Sequence, residues 1–154
     1  MATLAKMFPG ARFLHIVRDP FVVFPSTKRL WNSLHHVQAM QIDSESNAEE
    51  YVFKCFDTMY SAFQRDRAEL KDGQLHEIQY EELVADPVSS MEKAYEKLKL
   101  GGFEKVRPAF EKQAESMKGY TTNTYHHDPR IVSEIAKRWQ PFIQRYGYEQ
   151  PTTE

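Results

Sequence analysis

The chain has 154 residues, enough for one domain, and at 41% hydrophobic and 27% charged it has the composition of a globular protein. A formal net charge of −2 argues against bulk nucleic-acid affinity, and one cysteine, Cys55, excludes an internal disulfide and a multi-cysteine metal site. No apolar run approaches the roughly 20 residues of a membrane span, and MATLAKMFPGA lacks the apolar core of a secretory signal, so the expected location is the cytoplasm.

The stretch ARFLHIVRDPFVVFPS is the most informative. An apolar run (Phe13, Leu14, Ile16, Val17) stops at Arg18-Asp19-Pro20, and a helical period follows. This reads as a buried strand, a sharp turn and a helix over residues 20–40, with Val23, Leu30, Leu34 and Val37 on one face. Pro25 should kink that helix. Arg18 falls at the strand's carboxyl end, where open α/β sheets bind ligands, and Ser26 lies about one turn into the helix. A helix N-terminus and a guanidinium fork together suit a phosphate. His15 alternates within the strand and should be packed.

Residues 41–47 are polar and read as a loop. Ser46-Asn47-Ala48-Glu49 fits a capping box, and a helix follows with Val52, Phe56, Met59, Phe63 and Leu70 inside, ended by Asp72-Gly73. Residues 75–80 form a second short strand, so the two strands imply a parallel crossover. A helix from Asp86 buries Met91, Ala94 and Leu98 and stops at Gly101-Gly102. Residues 103–117 are mostly helical, interrupted near Pro108. An aromatic loop (119–127) precedes a helix over 130–146 that carries Ile131, Ile135, Trp139 and Phe142, is kinked by Pro141 and is ended by Gly147. Asp19-Pro20, Asp86-Pro87 and Asp128-Pro129 each fit an N-cap aspartate with proline at the first helical position.

Adjacent histidines (His35-His36, His126-His127) cannot both face one ion, so no metal site is expected. Glu81 and Glu82 diverge on a short helix and do not make an acid–base pair. Cys55 reads as a small core residue. Lys118, Tyr120, Asn123 and Tyr125 combine a cation, an amide and rings in one loop, a set that suits a nucleotide.

Three segments, in order, resemble the sulfotransferases that use 3′-phosphoadenosine 5′-phosphosulfate (PAPS): the strand with R-D-P and a serine eight positions on, Gln79-Tyr80-Glu81-Glu82-Leu83-Val84-Ala85-Asp86-Pro87, and the tail from Tyr120 to Tyr148. The resemblance implies an α/β chain with a partial P-loop-NTPase-like sulfotransferase fold, a short parallel sheet and mostly helical content. It covers residues 1–150, with 151–154 as a tail. It also implies PAPS, or its product adenosine 3′,5′-bisphosphate, as the bound nucleotide, with no metal. Arg18 and Ser26 would hold the 3′-phosphate and Tyr80 would lie near the adenine. Lys118, Tyr120 and Asn123 would belong to a loop that closes over the nucleotide, although Met117-Lys118-Gly119 only partly matches the family's R-K-G.

The family's upstream Ser/Gly/Thr-rich phosphosulfate loop and its catalytic base have no counterpart in these residues. The chain is therefore expected to be the C-terminal half of such a domain. The implied activity is sulfuryl transfer to a hydroxyl or amine acceptor that the sequence does not name. The alternative is a non-catalytic helical module that binds nucleotide or protein. Two strands leave a sheet incomplete, so self-association through its open edge is expected, with no nucleic-acid or membrane partner.

Overall fold

A computed structural model describes residues 1–38, 48–119, 124–126 and 128–151. The chain is α/β and mostly helical: α1 (Ala2–Met7), β1 (Phe13–Val17), α2 (Pro20–Gln38), α3 (Ala48–Arg67), β2 (Leu75–Gln79), α4 (Tyr80–Ala85), α5 (Pro87–Lys97), α6 (Phe103–Ser116), α7 (Pro129–Arg138) and α8 (Gln140–Tyr146). Two compact units divide it, Met1–Arg18 with Ala62–Thr122 and Asp19–Ser61 with Asn123–Glu154. The polar loop expected at 41–47 and the first half of the capping box lie outside the described residues.

In the first unit β1 and β2 pair in parallel, from Phe13 opposite Leu75 to Val17 opposite Gln79. The ladder begins one residue earlier, where the Phe13 N–H donates to the Gln74 carbonyl (2.7 Å). One face carries His15 and Glu77. His15 stacks on Phe63, with ring centres 4.1 Å apart, and Arg67 reaches Glu77 at 3.0 Å. Period-2 alternation puts Leu14, Ile16 and Ile78 on the other face. Ile78 is buried, but Leu14 and Ile16 are 37% and 49% exposed. The strand read as buried thus leaves these two apolar side chains open to solvent. Among the described residues no third strand flanks β1.

The helices that follow are held at their ends. The Asp86 carboxylate accepts from the Ser89 N–H at 3.1 Å with Pro87 at the first position of α5, and Arg12 donates to the Leu98 carbonyl at 3.1 Å. After α5 the backbone turns through positive φ at Lys99, Gly101 and Gly102, which two glycines accommodate. In α6, Pro108 does not interrupt the helix. It lies just past the first turn, where its missing N–H costs only one hydrogen bond.

The second unit packs aromatic rings. Trp139 is 2% exposed and lies 4.0 Å from Phe56, 5.2 Å from Phe53 and 5.8 Å from Phe24, centre to centre. Phe142 adds edge contacts to Phe56 and Tyr60, both at 5.1 Å. The 130–146 segment is two helices rather than one kinked helix. Trp139 leaves helical geometry (φ −106°, ψ 20°), and Pro141 falls in the first turn of α8, where it fits. Gly147 ends α8 in the left-handed conformation, as expected.

The aromatic core also decides which face of α2 is buried. Phe21 and Phe24 are buried, whereas Leu30 is 56% and Val37 81% exposed. At 100° per residue, Val23, Leu30, Leu34 and Val37 share one stripe, and Phe21 and Phe24 lie roughly 160° and 100° round from Val23. The rings bury more apolar area, so they win the core. The same contest places Phe53 inside α3 and leaves Met59 60% exposed. α3 also ends at Arg67, so Leu70 is not part of it. Cys55 is exposed, contrary to its reading as a core residue, because it sits on the outer side of α3.

Ion pairs tie these helices together. Glu49 accepts from Lys28 (2.6 Å) and Arg130 (2.9 Å), joining α2, α3 and α7. Partial burial alone would raise the Glu49 pKa, but hydrogen bonds from Lys28 and Arg130 outweigh it and hold the carboxyl below its usual range. Arg138 pairs with Glu50 at 2.6 Å and covers the Phe53 ring at 4.3 Å.

Candidate functional site

The register of the ladder decides what meets at its carboxyl end. Val17 and Gln79 are the last pair, so Arg18 and Tyr80 leave the two strands side by side. The guanidinium carbon of Arg18 lies 4.2 Å from the centre of the Tyr80 ring. Tyr80 opens α4, and Gln79, in extended geometry, is its N-cap. The structure thus brings together two of the predicted site residues that are 62 positions apart in the chain.

Asp19 caps α2, as its sequence context predicts. Its Oδ1 accepts from the Phe21 N–H at 2.8 Å, and its carbonyl accepts from Val22 and Val23. Capping takes the first N–H of the turn into an intrachain bond. Ser26 is half-buried in the second turn of α2 and belongs to the second unit. The helix continues through Pro25, which sits where the chain would otherwise donate back to Phe21. Ser26 shares the stripe of Leu30 and Val37: at 100° per residue these three fall within about 40° of one another.

Of the C-terminal loop, Tyr120 and Asn123 lie outside the described residues. Lys118 is exposed and pairs with Glu115 one turn back, a contact that many surface lysines make. Glu81 and Glu82 are exposed on α4. His35, His36 and His126 are exposed, and His15 is the packed one of the set. Among the described residues no cluster of three His, Cys, Asp or Glu could hold a metal ion. No helix among them is long and apolar enough to cross a membrane.

Two surface depressions in the first unit lie elsewhere. One of about 360 Å³ is bounded by Arg67, Lys71, Asp72 and His76, near the start of β2, where burial pushes the His76 imidazole down. The other, of about 500 Å³, lies beside Tyr95 and Phe103. Neither is lined by Arg18 or Tyr80.

Sequence reasoning missed the Arg18–Tyr80 stack and the exposed stripe of α2. The first was recoverable, since each residue directly follows a predicted parallel strand. The second required knowing which face of α2 takes the core.

Comparison with known proteins adds the remaining finding. The sulfotransferase-family model matches residues 1–105. Similar curated proteins include omega-hydroxy-beta-dihydromenaquinone-9 sulfotransferase Stf3 of Mycobacterium bovis and the protein of the same name of Mycobacterium tuberculosis. Each is 31% identical over 151 residues, 98% of this chain, and the chain spans 39% of the length of these relatives. No solved structure matches the chain. With its strand-end arginine, its parallel pair and a family match over two-thirds of its length, the chain belongs to the sulfotransferase family.

Proposed function

We propose that this chain forms the donor-nucleotide part of a PAPS-dependent sulfotransferase with a P-loop-NTPase-like fold. The observation that carries the reading is Arg18. It stands at the carboxyl end of β1, with its guanidinium over the Tyr80 ring. Its five N–H donors match a phosphate in a way that an ammonium cannot. On this reading Arg18 and, from the sequence motif, Ser26 hold the 3′-phosphate, with the loop of Lys118, Tyr120 and Asn123 beside the nucleotide. Sulfuryl transfer is an in-line displacement helped by positioning and charge stabilisation. The residues described here supply binding and charge. The phosphosulfate cradle and the base are assigned to sequence outside these 154 residues.

The donor reading is tested by titration calorimetry. The chain should bind adenosine 3′,5′-bisphosphate at least tenfold more tightly than adenosine 5′-monophosphate, because only the former offers a 3′-phosphate to Arg18. Equal affinities would refute the reading. With PAPS and a panel of alcohols, phenols and amines, the chain alone should show no turnover. Loss of one transition-state donor costs ~10²–10³ in rate, and a whole cradle is missing here. Measurable transfer would put the catalytic groups within these residues.

For the acceptor, the relatives' printed substrate is a hydroxylated menaquinone derivative. Exposed Leu30 and Val37, with half-buried Leu34, continue the line of Ser26 along one side of α2, which favours an alcohol with a long apolar chain over a sugar or a peptide. Fully burying a Leu or Val contributes about 1.5–3 kcal/mol. Leu30→Asp should therefore weaken binding of a long-chain prenol about tenfold or more and leave bisphosphate affinity unchanged. Prenol binding unaffected by Leu30→Asp and by Val37→Asp would remove the stripe from the acceptor site.

A further inference from the structure

The Arg18–Tyr80 stack assigns Tyr80 a role different from the one that the family resemblance gives it. A residue beside the adenine would present its ring face or its hydroxyl to the base. Here one face of the Tyr80 ring lies against the Arg18 guanidinium, 4.2 Å from its carbon, well inside the roughly 6 Å range of a cation–π contact. Tyr80 is itself fixed on both sides, by β2 before it and by the first turn of α4 after it.

We propose that Tyr80 is a positioning residue for Arg18: its ring is a shelf that fixes the plane of the guanidinium so that its edge meets the 3′-phosphate. This rests on the donor reading above. The physical case is one of faces and edges. A guanidinium donates hydrogen bonds from its edge and stacks through its face. A carboxylate partner would orient Arg18 equally well, but it would take up edge donors and cancel the charge that the phosphate needs. A ring orients it through its face and itself takes up none of the edge donors. It also limits the rotamer freedom that a long arginine otherwise loses when its ligand arrives. Aliphatic residues provide neither the quadrupole nor the flat surface.

The test compares adenosine 3′,5′-bisphosphate with adenosine 5′-monophosphate on the full 154-residue chain and its variants. Tyr80→Leu should cut the preference for the bisphosphate roughly three- to thirtyfold with little change for the monophosphate. Tyr80→Phe, which keeps the ring, should restore it. Tyr80→Leu combined with Arg18→Ala should lose no more than Arg18→Ala alone. If Tyr80→Leu weakens both nucleotides equally, or if Tyr80→Phe loses as much as Tyr80→Leu, Tyr80 contacts the base and the inference fails while the donor reading stands. A native chain with no preference overturns the donor reading and this inference with it. Should Tyr80→Leu not fold, the Arg18 Nε–H decides by NMR. An upfield ring-current shift, kept in Tyr80→Phe, supports the stack, and an unshifted resonance overturns it.

Discussion

Truncating Trp139 to alanine is expected to cost about 3–5 kcal/mol, the largest loss of stability from any single side chain here. The residue is 2% exposed, and its indole touches rings from α2 and α3 while its backbone joins α7 to α8. Few domains hold more than about 5–15 kcal/mol in total, so the second unit should be largely unfolded at moderate urea. Near-UV circular dichroism against denaturant gives the measurement. Trp139→Phe should be much milder. The indole N–H is buried with no acceptor among the described residues, so phenylalanine gives up volume and also removes an unsatisfied donor. A midpoint for Trp139→Ala close to the native one would show that the aromatic cluster is not the unit's core.

Arg18→Ala should lower affinity for adenosine 3′,5′-bisphosphate by about 1.5–3 kcal/mol, roughly ten- to a hundredfold, because a charge-assisted contact is removed. Folding should change little. The side chain is half-buried, and a cation–π contact near a surface contributes about 0.5–1 kcal/mol. Arg18→Lys should recover only part of the loss, since an ammonium has the charge without the planar fork. Calorimetry on the three chains settles the point, and an unchanged Kd for Arg18→Ala removes the residue from the phosphate site.

Much of the fold was legible because local chemistry dictated it. All three aspartate–proline pairs cap helices, both strands occur where apolar runs meet turn residues, and Gly147 closes α8. What the sequence hid was decided by competition between distant residues. The stripe of α2 is a good inner face by period alone, yet Phe21 and Phe24 displace it once Phe53 and Trp139 arrive to stack on them. Cys55 is exposed for the same reason. Pro108 and Pro141 show a subtler limit. A proline is tolerated or disruptive by its distance from the helix start, and that start is the least well marked feature of a sequence. At the site, motif spacing pointed to Arg18 and Tyr80 separately, and only strand register showed that they meet.

The ladder between β1 and β2 also bears on how the chain comes to fold. The five register pairs, from Phe13 with Leu75 to Val17 with Gln79, each join residues 62 positions apart, and each compact unit is assembled from two separated stretches of chain. Long closures of this kind must be made before any contact rewards them, so folding should be slow for a chain so rich in helix. On a ribosome adding ~5–20 residues per second, β1 waits roughly 3–12 s for its partner to be synthesised. During that interval Phe13–Val17 is an apolar segment with both edges open, and any neighbouring nascent chain can pair with it. The yield of folded protein should therefore be set by events before β2 exists, and slower synthesis at higher crowding would lengthen the period of risk.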